Sequence, residues 1–326
     1  MVSVETVSGH TAVALQSDRL RVVVLPEKGA DIYAIVERGS GVDALMKTPW
    51  GLKPPPASPP TDFLENYEGA WQELFPSAND ACEVDGHAVP FHGEVALRAW
   101  RWSTERDDAS GCRVVFSVET RSLPFHLERR MTLEMGSPRL VLEESVTNLG
   151  SDRLPFVWGH HLVLGAPFLE AGCRLEIPAS ELRTPDEVYE TLTAELPARL
   201  KCAWPFAEGR APGSRLDLRD IPGPEAHTHD DVYLSGFPRG HWTVTNPRRG
   251  LRFSLDWDAD LFRSVTLWRP FGGSDLPPLT GIYGVGIEPW VSRHNLAGAV
   301  EAGEARWLEP GARLDTTVVA TFEADA

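Results

Sequence analysis

The sequence predicts an all-β fold, a sandwich or barrel of antiparallel strands, on three observations. Short runs of strand-forming residues recur along the chain, turn signals separate them, and helical periodicity is rare. The runs are residues 11–15, 20–25, 31–36, 94–102, 112–118, 127–134, 139–147, 241–245, 251–256, 263–268 and 314–322. β-Branched residues are prominent in 19–25 and 314–322, as a half-buried pleated surface favours. Turns fall at Glu27-Lys28-Gly29, Asn148-Leu149-Gly150, Asn246-Pro247 and Glu309-Pro310-Gly311. The best helical candidate is 185–196, with Thr184 as cap and Pro197 as stop. Two segments read as long loops. Residues 47–62 carry Pro49, Pro54, Pro55, Pro56, Pro59 and Pro60, and residues 270–281 mix Gly and Pro. Loops of that length serve as lids or connectors, and both are expected to shape any pocket. No repeat, low-complexity tail or linker divides the chain, so residues 1–326 read as one domain.

Composition narrows the function classes. A hydrophobic fraction of 42% is ample for a core, and the net charge of −16 without a Lys/Arg cluster argues against nucleic acid and anionic membranes. The expected partner is a small molecule, and the chain is expected to be a monomer or homodimer. Cys82, Cys112, Cys173 and Cys202 form no CxxC pair and read as reduced thiols of a cytoplasmic protein without a signal peptide. No apolar run approaches the roughly 20 residues that span a bilayer. Neither a metal nor an organic cofactor is expected, since HExxH, a Cys cluster and GxGxxG before a helix are all missing.

Three segments pair chemistry-bearing side chains with glycine. In Gly284-Val285-Gly286-Ile287-Glu288-Pro289-Trp290, period 2 puts Gly284, Gly286 and Glu288 on one face. Glycine in a strand marks close approach of a ligand or backbone, and Pro289 holds Glu288 extended. The carboxylate is therefore expected at a strand end over a clear floor. In Phe156-Val157-Trp158-Gly159-His160-His161, His161 shares a face with Gly159, and His160 with Trp158. The pattern does not decide which histidine faces solvent; the other is structural. In Pro90-Phe91-His92-Gly93-Glu94, His92 and Glu94 are expected on one face.

Those segments, with Trp71-Gln72-Glu73-Leu74-Phe75-Pro76, resemble the aldose 1-epimerase (galactose mutarotase-like) family in order and spacing, over residues 11–322. The resemblance implies a large antiparallel β-sandwich, a supersandwich with few short helices, and a cleft in which one Glu and one His interconvert the α and β anomers of a hexose or modified hexose. It implies Glu288 as general base, His161 as general acid and His92 as a sugar ligand near the ring oxygen. It places Asp230, with Asp231 as the alternative, among the ligands of sugar hydroxyls. Trp71, Trp158 and Trp290 flank the motifs, and an indole face suits the apolar face of a pyranose. Trp71 and Trp158 are the expected stacking partners. Two other readings compete: a glycoside hydrolase or lyase pairing Glu288 with Asp230 or Glu94, and a non-catalytic sugar-binding module on the same fold. The sugar itself is not legible.

Overall fold

A computed structural model of the chain describes residues 1–58 and 60–325. Its frame is two large antiparallel sheets. The larger, of 12 strands, runs in spatial order Val2–Val7, His10–Gln16, Leu20–Leu25, Asp31–Glu37, Trp71–Leu74, Gly159–Leu164, Val285–Trp290, Ser264–Phe271, Thr228–Ser235, Glu181–Arg183 and Lys201–Ala203, with Val42–Asp43 beside the fourth. The smaller, of 8 strands, runs Arg174–Glu176, Gly240–Asn246, Leu251–Trp257, Arg313–Ala324, Arg139–Asn148, Phe125–Glu134, Gly111–Glu119 and Arg101–Asp108. The all-β sandwich expected from the sequence is therefore the observed fold.

The inner faces bury one continuous apolar cluster that includes Leu15, Val22, Phe116, Leu142, Trp158, Phe253 and Val318. Burial of this kind stabilises by about 25 cal/mol per Å² of apolar surface. The middle of the larger sheet matters most for function. There the neighbours Trp71–Leu74, Gly159–Leu164, Val285–Trp290, Ser264–Phe271 and Thr228–Ser235 come from distant parts of the sequence.

Two local expectations fail, and the proline-rich loop is as expected. Residues 185–196 form a loop of turns rather than a helix. Thr184 does not cap it; its hydroxyl donates to the Pro197 carbonyl (2.6 Å) and accepts from Leu200 N–H (2.9 Å), clasping the loop shut. Among the described residues the one α-helix is Leu296–Glu301, whose cap Asn295 accepts from Gly298 N–H at 2.9 Å. Residues 94–102 do not form one strand: Val95–Leu97 is a 3₁₀ turn, and the strand begins at Arg101. The proline-rich segment has no helix or strand in 49–58 and 60–62, and Pro59 lies outside the described residues.

Candidate active site

Strand register assembles a polar row on the outer face of the larger sheet. Gln72 pairs with His161. Gly159 pairs with Trp290 and Val163 with Gly286, which sets His161 opposite Glu288. Glu288 pairs with Thr266, Thr266 with Tyr233, and Tyr233 with Arg183. Over the middle of this row lies a cavity of about 590 Å³, within the range of roughly 300–1,000 Å³ typical of small-molecule sites. Its floor includes His161, Glu288, Asp231 and Trp268; its walls come from Phe63 and Tyr67, from Asn79 and His92, from Pro185 to Tyr189, and from Arg293 to Asn295. Of the two long loops, 270–281 contributes Leu279, whereas the described residues of 47–62 do not line the cavity.

Glu288 is buried and extended on its strand. Its Oε2 accepts from Trp290 Nε1 at 3.2 Å, and its Oε1 lies 3.7 Å from His161 Nε2, too far for a hydrogen bond. The neighbouring glycines are required by contact. A Cβ on Gly286 would lie 2.5 Å from Glu288 Oε1, so the carboxylate occupies the space a side chain would fill. A Cβ on Gly159 would strike the Trp290 indole at 2.0 Å. The two glycines therefore seat the carboxylate and the indole that donates to it.

His92 enters from a loop with φ of 60°, a conformation uncommon for residues other than glycine. Two contacts hold it there: its backbone N–H donates to the Asn79 carbonyl at 2.9 Å, and its Nδ1 accepts from Asn79 N–H at 2.9 Å. With Nδ1 accepting, the neutral ring carries its proton on Nε2. The His92 ring stacks on Trp290 and meets His161 edge-on. Tyr67 packs edge-on against His161, and its hydroxyl is buried without a partner.

Burial dominates the electrostatics. It pushes the Glu288 carboxyl well above its ordinary range, with the Asp231 charge adding to the shift and the Trp290 N–H opposing it. It pushes His161 down to about 4, and His92 well below its ordinary value with help from His161. Asp231 is pushed up to about 7, by burial first and Asp230 second. Burial thus favours the neutral form of both Glu288 and His161.

The adjacent His160 points the other way, into the space between the sheets. It is fully buried against Trp158 and Phe262, accepts from Trp71 Nε1 at 3.3 Å on Nδ1, and places Nε2 3.2 Å from Glu144 of the smaller sheet. Beside it, Glu73 accepts from Trp158 Nε1 at 2.9 Å and pairs with the buried Arg129 at 3.3 Å.

Of the residues the sequence singles out, Glu288, His161 and His92 come together in the cavity. Trp71 and Trp158 do not. Both are fully buried between the sheets, and their indole N–H groups are spent on His160 and Glu73, so neither offers a face to a sugar. Asp230 lies behind the cavity wall, where its carboxylate accepts the Glu195 and Leu196 N–H groups that fix the 185–196 loop. Asp231, one residue on, faces the cavity. Glu94 is turned away from the cavity and accepts from Arg121 N–H, Ser122 N–H and Ser122 Oγ at 2.6–2.9 Å.

The sequence reading missed Tyr67, Asn79, Tyr233 and Trp268 among the cavity residues. A usable signal was present. His229, Asp231 and Tyr233 alternate with Asp230, Val232 and Leu234, and all three of the first set line the cavity. Among the described residues no cluster of three or more His, Cys, Asp or Glu has the arrangement of a metal site. No helix there is long and apolar enough to cross a membrane.

Solved structures share this fold. A provisionally named aldose 1-epimerase from Klebsiella pneumoniae is 16% identical with a TM-score of 0.75, over 98% of this chain and 82% of that one. The Slr1438 protein of Synechocystis sp. is 17% identical with a TM-score of 0.71, over 98% and 99% of the two chains. A galactose mutarotase-like protein from Clostridium acetobutylicum is 15% identical with a TM-score of 0.67, over 99% and 98%. No curated protein matches the sequence. The fold is thus galactose mutarotase-like, and because a family model described as a domain of unknown function (DUF4432) matches residues 7–321, the chain belongs to that family.

Proposed function

We propose that the protein is an aldose 1-epimerase-type isomerase that interconverts the α and β anomers of a reducing sugar. One observation carries this reading: Glu288 and His161 face each other across paired strands, in a cavity, with hydrogen-bonding capacity unspent. Ring opening requires two coupled proton transfers. A base takes the proton from the anomeric hydroxyl, whose electrons form the C1 carbonyl. The C1–O5 bond breaks, and an acid delivers a proton to O5. Rotation about C1–C2 and reclosure with the roles reversed give the other anomer. Glu288 is assigned as base and His161 as acid, with the Nε2–H of His92 donating to the sugar near O5. Burial favours a proton on Glu288; sugar hydroxyls donating to the carboxylate favour its transfer to His161. The proton count is the same before and after, so the cycle needs no third reactant. Trp268, beside Asp231 in the strand register, supplies an apolar part of the floor for the pyranose.

Hydrolysis is disfavoured by the same geometry. Glu94 is tied down elsewhere, Asp230 lies behind the wall, and the group set directly opposite Glu288, at 3.7 Å, is the His161 imidazole. A pure binding module leaves an acid–base pair without a use. Cys82, Cys112, Cys173 and Cys202 are all free thiols, which supports a reducing, cytoplasmic setting. The test is NMR exchange between α and β anomers over a panel of free hexoses, run with and without EDTA. Saturation transfer above the uncatalysed rate, insensitive to EDTA, is expected. Catalysis absent for every sugar, or abolished by EDTA and restored by a divalent ion, would refute the reading.

A further inference from the structure

The polar row that carries Glu288 continues past the sugar cavity into a second one. Beyond the Tyr233 ring lies a cavity of about 310 Å³ lined by Arg183, Arg263 and Arg293, with Ser235, Ser264 and Ser292 between them. Tyr233 and Arg293 line both cavities, so the two adjoin on one sheet face. In a chain of net charge −16, three guanidinium groups around one small space are a local reversal of sign. Their charges are poorly neutralised. Among the described residues Arg293 and Arg263 have no carboxylate within salt-bridge distance; Arg293 lies over the Tyr233 ring, and Arg263 donates to the Glu304 backbone carbonyl at 3.2 Å. Arg183 reaches Glu181 only at 3.9 Å in a half-exposed pair, a contact of little strength. The one carboxylate lining the cavity, Glu304, is engaged by Ser292 Oγ at 2.6 Å. Like charges held together without a counter-charge are unfavourable, whereas a carboxylate, sulfate or phosphate there would accept charge-assisted bonds from several forks.

We propose that this cavity is an anion subsite that extends the sugar site. It would take a carboxylate, sulfate or phosphate group carried by the residue beyond the reacting sugar. Three strand spacings separate Glu288 from Arg183, or roughly 14 Å at about 4.8 Å per strand. That backbone-to-backbone span suits an anionic group on the second residue of a reducing disaccharide better than one on the reacting ring. The proposal builds on the mutarotase reading, but anion binding is measurable without it.

Calorimetry would compare a reducing disaccharide ending in a uronic acid, its neutral counterpart and inorganic phosphate. The expected results are binding of the uronic compound about 10-fold or more tighter than the neutral one, as one charge-assisted bond allows, and phosphate competing for that advantage. Arg183→Ala with Arg263→Ala should erase the preference while leaving anomer exchange of a free hexose unchanged. Equal affinity for the two disaccharides together with no arginine-dependent binding of phosphate would overturn the subsite. So would a preference that survives in the double variant. Arginine-dependent phosphate binding by a protein that exchanges no anomer would keep the subsite and sink the mutarotase reading instead.

Discussion

His160 and His161 are neighbours on one strand, and each faces a glutamate from another strand, yet the two pairs sit in opposite environments. His160 and Glu144 are 3.2 Å apart and sealed between the sheets, with Trp71 occupying the other ring nitrogen. His161 and Glu288 are 3.7 Å apart, and His161 Nδ1 has no partner in the protein. The first pair lies in close contact but out of reach of any ligand, and His160 Nε2 and the Glu144 oxygens have no well-aligned hydrogen bond there. The second keeps its capacity for a molecule the cavity admits. What separates the structural pair from the proposed catalytic pair is thus the open volume beside the second, and strand parity assigns each histidine to its side.

The largest expected effect follows from breaking the open pair. Glu288→Gln keeps the shape but removes the base, so anomer exchange should fall by roughly 10²–10⁴-fold. His161→Gln should act likewise, measured by the same NMR exchange. Full activity in either variant would remove that residue from the assigned pair. The closed pair should respond in the other observable. His160→Gln removes the ring that accepts from Trp71 and contacts Glu144 in a fully buried polar cluster, a loss of roughly 1–3 kcal/mol by the usual cost of an unsatisfied buried polar group. Denaturant unfolding should show that loss, while exchange per folded molecule stays near the wild-type rate. The reverse outcome, a stable but inactive His160→Gln, would exchange the roles of the two histidines.

Much of this was legible in the sequence because period-2 alternation survives in the central strands. It placed Glu288 over Gly286 and left the His160/His161 choice to the structure. It failed where the backbone departs from extended geometry. His92, with φ of 60°, breaks the alternation, so Glu94 does not share its face and instead ties residues 121–122. Trp71 and Trp158 misled because an indole between two sheets and one against a ligand have the same sequence signature. Their partners, His160 and Glu73, come from distant segments that no local pattern links. The 185–196 loop has helical composition, but its N–H groups go to Asp230, a contact 34–35 residues away.

Buried titratable groups on the cavity face give the two limbs of a stability profile. His161 and His229 are pushed down to about 4 from 6.5 by burial. Between those values the unfolded chain binds more protons than the folded one, so stability falls as pH falls from 6.5 towards 4. Glu288 has the opposite sign. Its folded carboxyl holds its proton above 4.5, so its burial costs stability as pH rises beyond that value. Glu288→Gln should therefore raise the melting temperature at pH 8 and leave it nearly unchanged at pH 4. An unchanged or lower melting temperature at pH 8 would mean the carboxylate is better solvated than its position implies.

The smallest effect separates Asp230 from Asp231 by the same parity that separates the histidines. Asp231 faces the cavity across from Trp268, and its carboxyl is pushed up to about 7 by burial and by the neighbouring Asp230 charge. An ionised carboxylate accepts a sugar hydroxyl more strongly than a neutral one, so sugar affinity should strengthen as pH rises through about 7. Asp231→Asn should flatten that dependence and weaken binding about 10-fold above pH 8, the scale of one charge-assisted bond. Asp230→Asn should leave the pH dependence of binding intact, because its oxygens serve Glu195 N–H and Leu196 N–H instead. Its cost should appear as roughly 1 kcal/mol of stability, the scale of one hydrogen bond weakened. Titrating the sugar against both variants at pH 6 and 8 checks the assignment. If Asp230→Asn flattens the pH dependence and Asp231→Asn does not, the wall and the floor of this cavity have been assigned the wrong way round.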